Sequence, residues 1–379
     1  MLTSAGIQPA PPEEFTDLRI TREAPGQRSK AALPSPDLAL CPQCRQELHD
    51  PQNRRYRYPF ITCTHCGPRY SILGQLPYER EHSAMNRFTP CPHCAVEYAN
   101  PDDRRFFSQT NSCPQCGIHF SVSQHNSGAR PAENETTLQL ISEQLSAGKI
   151  LAVKGIGGYL LLCDATAPAV IRTLRERKHR PSKPLAILYR DEEAVLRDFH
   201  LTTGEATLLN SAEAPIVLLR PRKQTVQPLA LQEIAPGLHR IGVMLAYNPL
   251  LDLIASDFGK PLVATSGNIA GSPILYEQEQ AEQHLPAIAD YLIHHNRPIL
   301  IPVDDSVSQL TPIHQTPILL RRARGYAPTL TGYRPVSSGV ILATGALLKS
   351  SFALAINGNV FVSQFLGNTE RYETRQAYQ

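Results

Sequence analysis

Cys41-Pro-Gln-Cys44, Cys63-Thr-His-Cys66, Cys91-Pro-His-Cys94 and Cys113-Pro-Gln-Cys116 are the four short stretches on which the reading of this chain turns. Eighteen residues lie between Cys44 and Cys63, and eighteen again between Cys94 and Cys113. Two C-x-x-C knuckles at that spacing bring four soft thiolates into the tetrahedron that Zn²⁺ accepts, with Zn–S near 2.3 Å. Two zinc ions are therefore expected, one on Cys41, Cys44, Cys63 and Cys66, the other on Cys91, Cys94, Cys113 and Cys116. Four protein thiolates fill the coordination shell, so both sites read as structural. His65 and His93, inside the knuckles, are the alternative ligands. The competing reading is a set of disulfides or redox C-x-x-C motifs, which needs an oxidising compartment or a thioredoxin-like setting.

Working outward, the whole segment repeats at an offset of 50 residues. Pro51, Arg54, Arg55 and Tyr56 are matched by Pro101, Arg104, Arg105 and Phe106, and Gly67 and Ser71 by Gly117 and Ser121. This is a duplicated unit whose folding is expected to be coupled to metal binding, because each copy carries few large aliphatics. Residues 41–120 hold nine Lys or Arg against seven Asp or Glu, a formal +2 that becomes −2 with eight thiolates and two Zn²⁺. That weakens a nucleic-acid role, which wants a basic patch.

The chain has 379 residues, a formal charge of +3, 42% apolar and 19% charged residues. Those values fit a folded protein of two or three domains and exclude a disordered or fibrous one. Its 33 prolines, about 9% of the chain against a usual ~5%, favour many loops. There is no apolar run of membrane-spanning length, and MLTSAGIQPAPPEEF lacks the basic start and apolar stretch of a secretory signal. A cytoplasmic location without membrane partners is the expectation. Residues 1–40, with one strand-like run in FTDLRI, read as a tail or linker, and SQHNSGARPAENE separates the zinc segment from a longer region of different character.

From Thr137 the periodicity changes. Leu138, Ile141 and Leu145 mark one helix, with Gly148 at its C-terminal end, and Pro168 opens another. ILAV (150–153), YLLLC (159–163), PLAILY (184–189), PIVLL (215–219), PLVAT (261–265) and PILIPV (298–303) read as buried strands covered by helices, which makes the fold α/β. Cys163 reads as a buried strand residue. GVILAT (339–344), SFALAI (351–356) and NVFVSQ (359–364) look like three further strands, the last two joined at Asn357-Gly358.

Between Arg172 and Lys183 stand six cations (Arg172, Arg175, Arg177, Lys178, Arg180, Lys183) and one anion, Glu176. Such density repels itself unless an anion is present, although a solvated helix end is the plainer account. Two prolines beside Arg180 and Lys183 stiffen the loop and lower the cost of presenting both charges together. KGIGGY, with Lys154, Gly155, Gly157 and Gly158, is a glycine-rich turn that could admit a ligand or could be a simple strand connection. Thr265, Ser266 and Asn268 follow a buried strand, where α/β folds place binding loops, or cap a turn. Arg321, Arg322 and Arg324 could clamp an anion, while Asp304 and Asp305 could hold Mg²⁺ or be turn residues.

PDLALCPQC, the duplicated knuckles, KGIGGYLLLCDA, RKHRPSKPLAIL, TSGN, VDDSV and RRARGYAP, in that order, resemble the HypF family of hydrogenase maturation carbamoyltransferases, from about Asp37 to the C-terminus. The resemblance implies two HypF-type zinc fingers at 41–123, forming a duplicated zinc-ribbon module. It implies a YrdC-like twisted α/β sheet domain at 136–330, and at 338–379 the first strands of a kinase-like (ribonuclease H-like) carbamoyltransferase domain. Residues 1–40 would be a linker or the remnant of an acylphosphatase domain, and the chain an internal fragment or a short member retaining the adenylating middle. Implied too are ATP with Mg²⁺, carbamate from carbamoyl phosphate, carbamoyladenylate as product, and HypE as the partner whose terminal cysteine accepts the carbamoyl group. By motif, Lys154, Lys178, Arg180 and Lys183 would neutralise the triphosphate, Thr265, Ser266 and Asn268 would line the pocket, and Arg321, Arg322 and Arg324 would close it. Threonylcarbamoyl-adenylate synthesis, double-stranded RNA binding and a silent scaffold are the rival expectations.

Overall fold

Proline at the first helical position, where its missing N–H costs nothing, opens both knuckle helices, α1 (Pro42–His49) and α2 (Pro92–Ala99), each preceded by a knuckle cysteine at its N-cap. The computed structural model describes residues 33–124, 127–268, 271–328, 330, 339–356 and 358–378; the strand-like FTDLRI and the turn residue Asn357 lie outside them. After the zinc segment come β1 (Phe120–Gln124), β2 (Arg130–Ala132), α3 (Asn134–Ser146), β3 (Leu151–Lys154), β4 (Tyr159–Asp164), α4 (Pro168–Arg177) and β5 (Ala186–Tyr189). They are followed by α5 (Glu192–Asp198), β6 (Phe199–His200), α6 (Thr203–Leu209), β7 (Ile216–Pro221), α7 (Leu231–Ile234), β8 (Ile241–Leu245) and α8 (Pro249–Phe258). The last are β9 (Leu262–Ser266), α9 (Gln278–His284), β10 (Tyr291–His295), β11 (Val307–Leu310) and β12 (Pro317–Arg321).

These strands form one mixed sheet in the order β12-β11-β7-β8-β5-β9-β4-β3-β10-β1-β2, with β6 beside β7. Every residue of β3, β4, β5 and β8 is buried, as expected of strands covered on both faces. Alternation sorts the side chains. Leu151, Val153, Leu160 and Leu162 share a core with Leu250, Leu253 and Ile254 of α8 and with Tyr58, Phe60 and Ile61 of the first zinc unit. Ala152, Leu161 and Cys163 face the other way, onto Ile171 and Leu174 of α4 and Ile234 of α7. The first zinc unit is thus one of the layers covering the sheet. Its α1 is fixed to α8 by Asp252, fully buried, whose carboxylate lies 2.8 Å from Arg45 Nε and 2.6 Å from His49 Nε2.

Three expectations are corrected. PILIPV is not a strand: its Leu300 and Ile301 amides donate to Ser71 O, so this apolar run, interrupted by Pro298 and Pro302, closes over the first zinc unit. SQHNSGARPAENE is no simple linker, because β1 pairs antiparallel with β10, Phe120 opposite His295, and β2 pairs with β1. Strands β8 and β10 join the sheet at segments where none was expected. Three C-terminal strands, β13 (Ile341–Ala343), β14 (Ala353–Ile356) and β15 (Asn359–Val362), form the expected small antiparallel sheet, followed by α10 (Tyr372–Tyr378). No helix among the described residues is long and apolar enough to cross a membrane.

Candidate functional site

The eight knuckle cysteines converge in two groups of four, Cys41, Cys44, Cys63 and Cys66, and Cys91, Cys94, Cys113 and Cys116. Sulfur–sulfur separations are 3.7 Å for Cys41–Cys63, 3.8 Å for Cys63–Cys66, 3.7 Å for Cys91–Cys113, 3.8 Å for Cys113–Cys116 and 3.7 Å for Cys94–Cys116. A tetrahedron with Zn–S near 2.3 Å has edges of about 3.8 Å, so both groups fit zinc, and neither needs His65 or His93. Disulfides would require sulfurs about 2 Å apart.

Around the thiolates the duplication is crossed. Arg54 of the first unit donates to Cys91 Sγ at 3.6 Å and Cys94 Sγ at 3.5 Å of the second, and to Glu97 at 2.8 Å. Fifty residues on, Arg104 donates to Cys41 Sγ at 3.3 Å and Cys44 Sγ at 3.0 Å of the first unit, and to Glu47 at 2.6 Å. Arg55 and Arg105, both buried, repeat the pattern on Glu97 and the Ser112 carbonyl, and on Glu47 and the Thr62 carbonyl. Burial opposes ionisation of Glu97, but the hydrogen bond and charge of Arg55 outweigh it and hold the carboxylate down at about 2. Each unit supplies the groups that orient and neutralise the other's thiolates.

The second constellation lies at the C-terminal end of α4 and the end of β9. Three of the six clustered cations stabilise the fold: Arg172 pairs with Glu233, Arg177 with Asp290, and Arg175 donates to the carbonyls of Arg180, Pro181, Lys183 and Ile234, which shapes the loop. Lys178, Arg180 and Lys183 remain. Lys178 Nζ donates to Ser266 O at 2.7 Å, Asn268 O at 2.9 Å and Asn268 Oδ1 at 2.8 Å. Arg180 Nη1 donates to Thr265 Oγ1 at 3.2 Å. Lys183 Nζ has no hydrogen-bond or ion-pair partner among the described residues. Burial and then Arg180 pull Lys178 down to about 7; burial and then Arg175 pull Arg180 down to about 10. Lys183 is lowered by desolvation, Arg180 and Arg321. The carboxylate acting on all three is Asp304, itself paired with Arg321 at 3.0 Å. An anion would relieve this mutual repulsion.

Several expected site residues lie elsewhere. Arg324 is buried against Tyr247, its guanidinium carbon 3.4 Å from the ring centre, and is held by Asp305 and the carbonyls of Glu213 and Ala214. Arg322 reaches Val362 O and Tyr326 O and so ties the small C-terminal sheet to the large one. Of the three, only Arg321 joins the cluster. The glycines of KGIGGY are required by packing: a Cβ on Gly157 would fall 2.1 Å from Val303 O, and one on Gly158, at φ +156°, 2.6 Å from Ile274. Gly155 accepts from His295 Nε2, and Lys154 Nζ donates to His295 O at 3.5 Å rather than to any residue of the Lys178 cluster. The residues not anticipated are Arg175, whose role depends on five carbonyls invisible in sequence, and Arg297 with His295, at the end of a strand that carries no apolar signature of its own.

Comparison with known proteins matches residues 40–73 and 91–123 to the HypF finger, 143–323 to the telomere recombination family (Sua5, YciO, YrdC) and 337–379 to the HypF Kae1-like domain. The carbamoyltransferase HypF of Synechocystis is 46% identical over 379 residues, all of this chain and 48% of that protein. Over its whole length the chain resembles carbamoyltransferase HypF. The probable carbamoyltransferase HypF of Methanocaldococcus jannaschii is 39% identical over 96% of this chain and 46% of that protein. The crystal structure of T. kodakarensis HypF superposes with a TM-score of 0.85 at 38% identity, covering 91% of this chain and 45% of that one. The chain spans about half the length of the curated HypF relatives it matches. A full-length HypF in a phosphate- and nucleotide-bound form superposes with a TM-score of 0.83 at 38% identity, covering 91% of this chain and 44% of that one.

Proposed function

We propose that the cluster of Lys178, Arg180, Lys183, Thr265, Ser266 and Asn268 joins carbamate to ATP. A carbamate oxygen attacks the α-phosphorus, the bond from that phosphorus to the bridging oxygen of the β-phosphate breaks, and pyrophosphate leaves with the electron pair. The product is carbamoyladenylate. The observation that carries this reading is the cation cluster itself, three desolvated charges opposed by one already paired carboxylate. Such a cluster suits a polyphosphate whose charge shifts toward the leaving group. Arg180 and Lys183 would contact phosphate oxygens. Lys178, with three protein acceptors, would hold the Ser266–Asn268 loop in place as a positioning residue. Mg²⁺ would enter with ATP.

Within hydrogenase maturation, carbamate would come from carbamoyl phosphate and the carbamoyl group would pass to the terminal cysteine of HypE, in the cytoplasm. The two zinc ions would be structural, holding the module that covers one face of the sheet. The test is pyrophosphate release by the chain supplied with ATP and carbamate, lost in Arg180→Ala. Absence of any AMP-containing product with carbamate supplied directly would overturn the reading. The threonylcarbamoyl-AMP synthase of Photobacterium profundum, 26% identical over 162 residues, supports threonylcarbamoyl-adenylate synthesis as a second reading, which threonine dependence of the same assay would reveal.

A further inference from the structure

The two zinc units are unequally supported. The first shares the core of the large sheet, with Leu48, Tyr58, Phe60, Ile61 and Ile72 buried in it. The second has an apolar cluster made only of its cysteines, Cys91, Cys94 and Cys113 with Cys116 against them, so its fold depends on the ion those thiolates bind. The arginines that cross between the units therefore differ in kind. Arg54 and Arg55 reach the second set of sulfurs from a scaffold anchored in the core. Arg104 and Arg105 serve the first set from a scaffold anchored by its metal.

Those last two arginines grip both knuckles of the first site. Arg104 Nη2 donates to Cys41 Sγ at 3.3 Å and Cys44 Sγ at 3.0 Å, and Nη1 donates to Glu47 Oε1 at 2.6 Å on the same helix. Arg105, 4% exposed, donates to the other oxygen of Glu47 and, from Nε at 3.1 Å, to the carbonyl of Thr62 beside Cys63. Thr64, inside the second knuckle, donates from Oγ1 to Arg104 O at 3.1 Å. Four thiolates around Zn²⁺ carry a formal charge of −4 + 2 = −2, and Arg104 is the one side-chain cation that donates to the sulfurs of this set among the described residues. Outer partners of a metal site are worth about 10–100-fold in metal affinity.

We propose that Arg104 couples the two zinc sites. The ion on Cys91, Cys94, Cys113 and Cys116 orders the segment that carries Arg104, and Arg104 completes the surroundings of the ion on Cys41, Cys44, Cys63 and Cys66. Coupling of this kind is reciprocal, so an ion in the first set strengthens binding in the second by the same factor. No part of the adenylating reading is needed for it. The test uses the full chain, stripped of metal under reducing conditions and titrated with zinc against a competing chelator. Occupancy of each set is read separately, from protection of its cysteines against alkylation. With the first set loaded, the second is expected to bind zinc at least tenfold more tightly than in the Cys63→Ser, Cys66→Ser double variant, which cannot load the first. Arg104→Gln, which keeps all eight ligands, is expected to lose the same factor in the otherwise unsubstituted chain and less than twofold in the double variant. Equal losses in both backgrounds would show that Arg104 only stabilises its own unit, and would overturn the coupling. A second comparison removes no ligand: Arg104→Lys, which keeps the charge without the fork, is expected to bind zinc in the second set at least threefold more tightly than Arg104→Gln. Equal affinities in those two variants would also contradict the proposal.

Discussion

Arginine and lysine are concentrated in two regions of this molecule, and the two use them in opposite ways. In the zinc module Arg54, Arg55, Arg104 and Arg105 each meet a carboxylate, and three of them also donate to cysteine sulfur, all from the opposite unit. Those charges are complete once zinc is bound. In the α4–β9 cluster Lys178, Arg180 and Lys183 meet neutral oxygens or nothing, and repel one another. The difference separates a region whose cations hold the fold from one whose cations are left uncompensated, a distinction that charge counts alone cannot make.

The comparison can be tested hardest by removing zinc. Metal binding in structural zinc peptides is worth roughly 10–16 kcal/mol, and the second unit's own buried apolar cluster consists of its cysteines. A strong chelator is expected to release two zinc ions per chain and unfold the second unit first, while the first, bedded in the core of the sheet, resists longer. Zinc release followed with a colorimetric chelator, alongside hydrogen exchange of residues 91–123, checks this; loss of both ions with no change in exchange would break it.

Next in size, Arg55→Met leaves Glu97 without its buried partner, at a cost of about 3 kcal/mol in denaturant unfolding, with ATP affinity unchanged. Arg105→Met is expected to do the same through Glu47. In the α4–β9 cluster the signs reverse. Arg180→Ala breaks no ion pair, so stability holds or rises, while pyrophosphate release falls about 100-fold, equivalent to ~2.7 kcal/mol. A variant on either side that behaved like the other would erase the distinction.

The smallest effect is in pH. Because the folded chain lowers Lys178 from 10.5 to about 7, its charge costs stability fully below pH 7, and the cost is relieved as pH rises from about 7 toward 10.5. A bound triphosphate reverses the shift. ATP binding is therefore expected to take up a fraction of a proton between pH 7 and 9 and to weaken by a few-fold across that range. Calorimetry in buffers of different ionisation heat reads the uptake directly.

The zinc ligands are legible in the sequence because coordination is a short-range demand that fixes spacing, and the central strands because burial on both faces leaves unbroken apolar runs. Elsewhere the same signals mislead. PILIPV is apolar because it packs on Ser71 and the first zinc unit, and Tyr291–His295 does not read as a strand because His294 is satisfied by Ser123 and Tyr159, partners far off in sequence. Lys178, Arg180, Lys183, Thr265, Ser266 and Asn268 are visible as motifs, and their convergence depends on Arg175 folding the loop between two of them. Arg322 and Arg324 show the limit: with Arg321 they read as one clamp, yet register and burial send the three to three destinations.

The central claim, that the uncompensated cations Lys178, Arg180 and Lys183 are a triphosphate site, is tested most directly by a crystal structure of the chain with a non-hydrolysable ATP analogue and Mg²⁺. The triphosphate is expected to lie within hydrogen-bond distance of Arg180 and Lys183, beside Thr265 and Ser266. A triphosphate ordered away from both residues would contradict it.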